Sequence, residues 1–243
     1  MKLFGSIKQA LQRQAKTIEN ESNGSTELLD KMRQDWDDRA RENARHYVAT
    51  SQEEWTDEQF FRSGDDWIQA YILPLLPEIC QGRFPSNMPV IEIGCGTGRV
   101  THGLAELFGK VDAVDVSGEM IVRAKQALQD RHNVNLYQNN GMDLSMFGAE
   151  EFDFAFSSIV FQHIPSKGVI ENYIREAWRV LKPKSFFRFQ VQGAEIDEQT
   201  ADTWVGVGFT QTEMEIIAKR CNFEMRDSDG AGTQYYWLAF FKN

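Results

Sequence analysis

The chain has 243 residues, which is long enough for one α/β domain of ordinary size with an extension. Its 42% hydrophobic and 26% charged residues are typical of a globular protein and exclude a disordered or fibrous chain. The net charge of −10 argues against broad nucleic-acid binding, which needs a basic face to neutralise phosphates.

The cysteines and the hydropathy pattern narrow the class of protein further. Cys80, Cys95 and Cys221 lie far apart, with the spacing of neither metal ligands nor a disulfide framework. We therefore assign no metal and expect a reducing, cytoplasmic setting. No segment approaches the roughly 20 consecutive apolar residues of a membrane span, and the N-terminus lacks the apolar core of a secretory signal.

Residues 1–25 are predicted to form an amphipathic helix, because apolar side chains recur at helical intervals among basic ones: Leu3, Phe4, Ile7, Leu11 and Ile18. Two interpretations of this helix remain open. It packs on the domain or on a second subunit, which would make a homodimer through the N-terminal helices, or it lies on a membrane surface or a partner.

Two more helices are predicted before the first strand. Residues 26–49 place Leu28, Leu29, Met32, Trp36 and Ala40 on one face, with charged residues on the other. The next helix covers 57–76, where prolines limit its end. Residues 82–89 then form a linker.

The stretch from Val90 to Val100 (VIEIGCGTGRV) organises the rest of the chain. It opens with β-branched residues that predict a short buried strand. Gly94, Gly96 and Gly98 follow at alternate positions, and apolar residues at helical spacing come next. Strand, glycine turn and helix form the first half of a nucleotide-binding βαβ unit.

The spacing of the glycines indicates the class of ligand. A pyrophosphate-binding fingerprint reads Gly-x-Gly-x-x-Gly, whereas here one residue separates successive glycines and Glu92 stands two residues before the first. An anion beside the loop suits a ligand that bears a positive charge. The spacing therefore argues against a dehydrogenase.

Asp115 ends the next predicted strand, 111–116, about twenty residues after the glycines. Nucleotide-binding α/β folds place here the carboxylate that accepts the ribose hydroxyls. Ser117 is the predicted N-cap of the helix that follows.

These motifs resemble those of the class I S-adenosylmethionine (SAM)-dependent methyltransferases. EIGCGTG, from Glu92 to Gly98, matches their first motif, and VDVSGEM, from Val114 to Met120, is similar to their second. The resemblance covers about 88–242 and is to the small-molecule, methyltransferase type 11-like members. It implies SAM as cofactor and a small-molecule methyl acceptor.

The resemblance also implies a fold. We expect an α/β, Rossmann-like fold with a seven-stranded sheet that is mostly parallel and has an antiparallel last strand. Helices would cover both faces of the sheet, and extra helices would precede it at the N-terminus. Residues 1–83 would form a helical extension or lid, and 84–243 the SAM-binding domain. Residues 36–40 (WDDRA) are similar to a segment that packs over the cofactor in such enzymes; a charged surface helix anchored by Trp36 is the alternative.

The resemblance implies cofactor-binding roles for eleven residues, and it marks the segment after the fourth strand as the border of the methyl-transfer site. Val116 and Met120 would flank the adenine, Asp143 would accept a hydrogen bond from its amino group, and Leu144 would contact the ring. The full set is Glu92, Gly94, Cys95, Gly96, Gly98, Asp115, Val116, Met120, Asp143, Leu144 and Ser157.

His163 is the candidate catalytic base, since it follows the fourth strand near the expected methyl site and has an ordinary pKa of about 6.5. The alternative is a structural histidine. Two alternatives to methyl transfer are also weighed: another SAM-dependent chemistry such as aminopropyl transfer, and a binding or regulatory module without methyl transfer. The acceptor and the methylated atom stay open.

Overall fold

The computed structural model describes residues 26–243, so the helix predicted for residues 1–25 lies outside the described chain. A seven-stranded sheet forms the centre, in the order β3-β2-β1-β4-β5-β7-β6. All neighbouring strands pair in parallel except β7, which is antiparallel to β5 and β6. The strands are β1 Pro89–Ile93, β2 Lys110–Asp115, β3 Val134–Gln138, β4 Phe152–Ser157, β5 Leu181–Val191, β6 Glu224–Asp229 and β7 Tyr236–Lys242. The predicted fold class is confirmed.

The central strands are buried on both faces because helices cover the sheet on each side. Every residue of β4 is buried, and so are the last four residues of β1. Two large apolar clusters result, one on each face of the sheet. The sheet therefore holds the ends of its central strands in fixed positions.

Seven α-helices cover the sheet in the described chain. The first, α1, comprises residues 26–48. The others are α2 Asp57–Tyr71, α3 Leu76–Cys80, α4 Arg99–Leu107, α5 Gly118–Ala127, α6 Lys167–Val180 and α7 Gln211–Arg220. Ser117 caps α5 as predicted, and Thr210 with Glu213 forms a capping box at the start of α7. Among residues 26–243, no helix is long and apolar enough to span a membrane.

Two predicted boundaries are wrong. The helix expected over 57–76 ends at Tyr71, and a 3-10 turn, Leu73–Leu75, separates it from α3, because Pro74 and Pro77 fit only the first turn of a new helical segment. The aromatic run at 186–191 predicts the fifth strand to begin at Phe186, but it begins at Leu181, since Leu181 pairs with Phe152 before a register shift. Lys184, with φ of 63°, lies within this irregular start of the strand.

The strand order produces a crevice at one place. Strand β1 pairs with β2 on one side and with β4 on the other, so the chain changes direction across the sheet at β1. In parallel α/β sheets, ligands bind beyond the carboxyl ends of the strands at such a switch point. The loop after β1 carries the glycine motif at this place.

Candidate functional site

A cavity of about 810 Å³ of atom-free space, part of it open to solvent, lies at the carboxyl ends of β1, β2 and β4. The lining residues come from the strand ends, the loops that follow them and helices α1, α4, α5 and α6: Met32, Trp36, Tyr47, Val48, Glu92, Ile93, Gly94, Cys95, Gly96, Arg99, Val100, Asp115, Val116, Met120, Asn139, Gly141, Ser158, Ile159, Val160, Ile164 and Tyr173.

The glycine turn forms the floor of the cavity and requires glycine for two reasons. Gly94 has φ of +78° and Gly96 φ of +53°, a region that other residues rarely adopt. A Cβ at Gly94 would lie 2.1 Å from Val160 Cγ2, and one at Gly96 would lie 2.7 Å from Val48 Cγ2. The bare backbone is thus what lets neighbouring chain, or a ligand, lie directly against the turn.

Backbone hydrogen bonds attach the turn to the neighbouring strand. The amides of Gly94 and Cys95 both donate to Val114 O, at 2.7 and 3.0 Å. The Cys95 side chain lines the cavity but is only 3% exposed, and burial raises the pKa of its thiol well above the ordinary value. Cys95 therefore contributes backbone and packing, not a reactive thiolate.

Asp115 lies at the end of β2, where its carboxylate is fixed by backbone donors. Oδ2 accepts from the Gly96 amide at 2.8 Å, and Oδ1 accepts from the Ser117 amide at 2.9 Å. Burial raises the pKa of this carboxyl to about 6, although the two hydrogen bonds act to lower it. Because a carboxylate has about four lone-pair sites, acceptor capacity remains for hydroxyls of a ligand in the cavity.

Glu92 is a second acidic group in the lining and is almost fully buried, with 3% exposure. Its Oε2 accepts a hydrogen bond from Thr101 Oγ1 at 2.6 Å. Burial raises the pKa of Glu92 to about 7, because desolvation disfavours its charged form. A cationic group of a ligand would stabilise the ionised form.

Helix α1 covers the cavity and is fixed on one side by Asp37. Four residues of α1 line the cavity: Met32, Trp36, Tyr47 and Val48. Asp37 Oδ1 accepts from Ser117 Oγ at 2.6 Å and from the Glu119 amide at 3.1 Å. These bonds attach α1 to the first turn of α5, where a negative charge is favourable.

On the other side, α1 is attached to the loop between β5 and α7. Arg39 donates from Nη1 to Thr203 O at 2.9 Å and from Nη2 to Thr203 Oγ1 at 3.1 Å. Thr203 Oγ1 in turn donates to Asp35. The Arg39 guanidinium also lies against two rings, 4.8 Å from the centroid of Trp36 and 5.2 Å from that of Trp204.

The structure holds His163 in a structural setting outside the cavity lining. The residue is 6% exposed, its Nδ1 donates to Trp204 O at 2.5 Å, and its Nε2 lies 3.2 Å from Gln162 Nε2. Burial lowers the pKa of the imidazole to about 4. Both ring nitrogens are therefore occupied, and this geometry argues against the predicted general base and for the structural alternative.

The structure brings seven of the eleven predicted cofactor-binding residues together around the cavity: Glu92, Gly94, Cys95, Gly96, Asp115, Val116 and Met120. The other four lie outside its lining. Gly98 caps α4 and packs so close to Leu128 that a Cβ would lie 2.6 Å from it. Ser157 is buried and donates to Ile93 O, while its neighbour Ser158 lines the cavity.

Asp143 and Leu144 also lie outside the lining, because their loop turns away from the cavity after Gly141. Asp143 accepts from the amide and the hydroxyl of Ser145, and Leu144 is fully buried in the core. Asn139 and Gly141 face the cavity in their place. The loop contains several small polar residues, Asn139, Asn140 and Gly141 before Asp143. The sequence alone therefore did not show which of them faces the cavity.

Several lining residues were missed by the sequence analysis. Arg99 follows the glycine turn directly, and its charge at a motif boundary was a signal that could have been used. Tyr47, Val48 and Tyr173 come from two helices, and nothing in a single sequence indicates that these helices meet at one cavity.

A glycine turn and an acidic strand end at the switch point of a parallel sheet are the features by which Rossmann-like folds bind nucleotides. Residues 90–184 match the family described as a methyltransferase domain. The chain is 31% identical over 122 residues to a malonyl-[acyl-carrier protein] O-methyltransferase of Priestia megaterium, matching 49% of this chain and 42% of that protein. It is 27% identical over 137 residues to a ubiquinone biosynthesis O-methyltransferase of Hydrogenovibrio crunogenus, matching 56% and 54%.

Among solved structures, magnesium protoporphyrin IX methyltransferase of Synechocystis PCC 6803, with bound SAM, shares the fold. Its TM-score is 0.64 at 13% identity, over 89% of this chain and 97% of that one. The chain spans about half the length of the curated relatives it matches. The match to the methyltransferase-domain family thus covers residues 90–184, and the fold is that of the SAM-dependent methyltransferase structure described above.

Proposed function

We propose that this chain binds SAM in the cavity at the switch point and transfers its methyl group to a small-molecule acceptor. The observation that carries the proposal is the pairing of the bare glycine turn with Asp115, whose carboxylate is fixed by the amides of Gly96 and Ser117 at the wall of one cavity. This arrangement gives a nucleoside close access to the backbone and an acceptor for its ribose hydroxyls.

The residues present fit this cofactor. Asp115 would hold the ribose, Val116 and Met120 would border the adenine, and Glu92 would face the cationic end of the methionine moiety. Each of these four lines the cavity. SAM supplies an activated methyl group on a sulfonium, and the contribution of the protein is placement and exclusion of water.

Helix α1 would exclude water and help to form the acceptor side of the site. Trp36 and Tyr47 line the cavity from α1, and Ser158, Ile159 and Val160 line it from the segment after β4. We propose on this basis that residues 1–83 act as an extension that covers a SAM-binding domain of residues 84–243. A cytoplasmic location and a homodimer through the N-terminal helices belong to the same proposal.

The acceptor side supports an organic molecule with apolar surface, because aromatic and aliphatic side chains form most of its lining. The two curated relatives described above are named as O-methyltransferases. Acceptors that carry a carboxylic acid or a phenol are therefore the first to test. No base is assigned to His163, since its ring is occupied by Trp204 and Gln162.

The proposal is tested first by isothermal titration of the whole chain with SAM, with its demethylated product S-adenosylhomocysteine (SAH), and with NAD. We expect binding of SAM and SAH and none of NAD. The chain would then be incubated with SAM and with panels of carboxylic acids and phenols, and the release of SAH would be measured.

Each outcome bears on a different part of the proposal. Absence of SAM and SAH binding would overturn it. Binding of both, with no SAH release for any acceptor in the presence of a folded chain, would favour a SAM-binding or regulatory module that transfers no methyl group.

A further inference from the structure

We propose that Arg99 binds the carboxylate of the methionine moiety and thereby makes the site selective for nucleosides that carry an amino-acid end. This inference rests on the proposed SAM site, and it assigns a role to a residue that the motif comparison left aside. Arg99 is the first residue of α4, directly after the glycine turn.

The first observation is that the Arg99 guanidinium is buried with no carboxylate of the described chain close enough to form an ion pair, although the charge of Glu92 acts on it from a greater distance. The residue is 4% exposed and lines the cavity. Its Nη1 donates to Ser63 O at 3.1 Å, while its Nε is buried and has no hydrogen-bond partner among residues 26–243. No carboxylate of the described chain lies within 4.0 Å of its nitrogens, although Glu92 shares the cavity.

A buried guanidinium with no paired carboxylate is energetically costly. Burial lowers the pKa of Arg99 to about 10, which still leaves the group charged at neutral pH. A buried charge without a hydrogen-bonded counter-ion is unfavourable, and natural proteins pair such groups. A carboxylate that enters the cavity would supply both the counter-ion and the missing acceptor, in the geometry that guanidinium groups favour.

The second observation is that packing fixes the guanidinium at one wall. The Arg99 guanidinium carbon lies 5.0 Å from the ring centroid of Trp67, and Trp67 Nε1 donates to Ser158 Oγ at 2.5 Å. Ser158 itself lines the cavity. The cation is thus held between α2 and the segment after β4 and cannot leave for solvent without breaking this packing.

The third observation is that the cavity offers separate groups of opposite charge. Glu92 and Arg99 both line it, and Glu92 takes its hydrogen bond from Thr101 instead of from Arg99. A ligand with an ammonium and a carboxylate on one carbon matches such a pair. This is the chemistry of an α-amino acid, which SAM and SAH carry and simpler thioether nucleosides lack.

The test compares two ligands on three proteins by isothermal titration. The ligands are SAH and 5′-methylthioadenosine, which has the same nucleoside and thioether but no amino-acid end. The proteins are the whole chain, its Arg99→Leu variant and a matched control, Arg188→Leu. Arg188 is also buried, has an unpartnered Nε and lies 5.3 Å from the ring centroid of Trp237, but it is paired with Asp227 and lies outside the cavity lining.

We expect Arg99→Leu to weaken SAH binding by about 10- to 100-fold, the effect of one charged hydrogen-bonded contact, and to leave methylthioadenosine binding unchanged. Its unfolding temperature without ligand should stay the same or rise, because an unpaired buried charge is removed. Arg188→Leu should lower the unfolding temperature, since Asp227 loses its partner, without changing either affinity.

An equal loss of affinity for both ligands in a folded Arg99→Leu variant would overturn the assignment and show that Arg99 only supports the turn. If this variant does not fold, the unmodified chain decides the question: an SAH analogue that lacks only the carboxylate should bind at least about 10-fold more weakly than SAH. Equal affinities would overturn the inference while the SAM site stands. Failure of the unmodified chain to bind SAH at all would instead overturn the proposed function, and this inference with it.

Discussion

The floor and the cover of the cavity are built in different ways. The floor consists of the glycine turn and the end of β2, and its defining contact joins Gly96 to Asp115, which lie 19 residues apart. The cover is held by contacts between distant segments: Asp37 bonds to Ser117, 80 residues away, and Arg39 bonds to Thr203, 164 residues away. The floor is therefore a local motif, whereas the cover depends on the whole fold.

The largest effect is expected from a change in the floor. Gly94→Ala would force a Cβ into Val160 and a side chain into positive φ, so we expect SAH affinity to fall by about 100-fold or more and the unfolding temperature to fall as well. Gly82→Ala is the matched control, because Gly82 has a similar φ of +83° but no atom within 4 Å of its Cβ position. If both variants bind SAH as the unmodified chain does, the turn is not the floor of the ligand site.

A second change in the floor removes its fixed carboxylate. Asp115→Ala should weaken SAH binding by about 10- to 100-fold, because hydrogen bonds between ligand hydroxyls and a charged acceptor are lost. Calorimetry measures the change. Asp112→Ala is the control on the same strand: Asp112 is buried and bonds to Lys110 and Asn135, so its loss should reduce stability and leave the affinity intact. Unchanged affinity in Asp115→Ala would remove the ribose assignment.

A smaller effect is expected from loosening the cover. Asp37→Ala removes the acceptor for Ser117 Oγ and the Glu119 amide, so the free energy of unfolding should fall by about 1 kcal/mol and SAH should dissociate faster. Denaturant unfolding and stopped-flow binding measure the two effects. Asp38→Ala is the neighbouring control, because Asp38 is exposed and bonds only to Arg41 among the contacts described. Equal results for the two variants would show that Asp37 does not fasten α1.

The smallest effect on the reaction is expected at His163. The pKa of His163 in the folded chain is about 4, below the ordinary 6.5, so folding favours the neutral ring. The contribution of the neutral ring to the free energy of unfolding is therefore present above pH 6.5 and is lost as the pH falls through about 4. His163→Gln should therefore reduce the loss of stability between pH 6.5 and 4, measured by thermal unfolding.

The same variant tests the base role. Because His163 stays neutral and bonded to Trp204, we expect the pH dependence of turnover near neutrality to keep its shape in His163→Gln. A loss of turnover by about 100-fold or more, together with loss of a titration step near neutral pH, would restore His163 as the general base.

The contrast between floor and cover also explains what the sequence could predict. The glycine turn after the first strand and the position of Asp115 at the end of the second follow from patterns within about twenty residues, and the structure has both there. The position of Trp204 beside Trp36 and His163 does not, because it depends on how the loop after β5 meets α1. Arg99 was missed for a different reason: its charge beside the glycine turn is visible in the sequence, but its burial and its unpartnered Nε are visible only in the structure.

The outer edge of the sheet has a consequence for association between copies of the chain. Strand β6 pairs only with β7 and leaves its other side without a neighbouring strand in the described sheet. It carries Glu224, Asp227 and Asp229, and its one basic residue, Arg226, is already paired with Glu224. Antiparallel pairing of β6 with its own copy over its whole length would place Glu224 opposite Asp229, and like charges directly opposite each other are unfavourable. The acidic edge thus protects the sheet against growth by strand addition and against aggregation along this side.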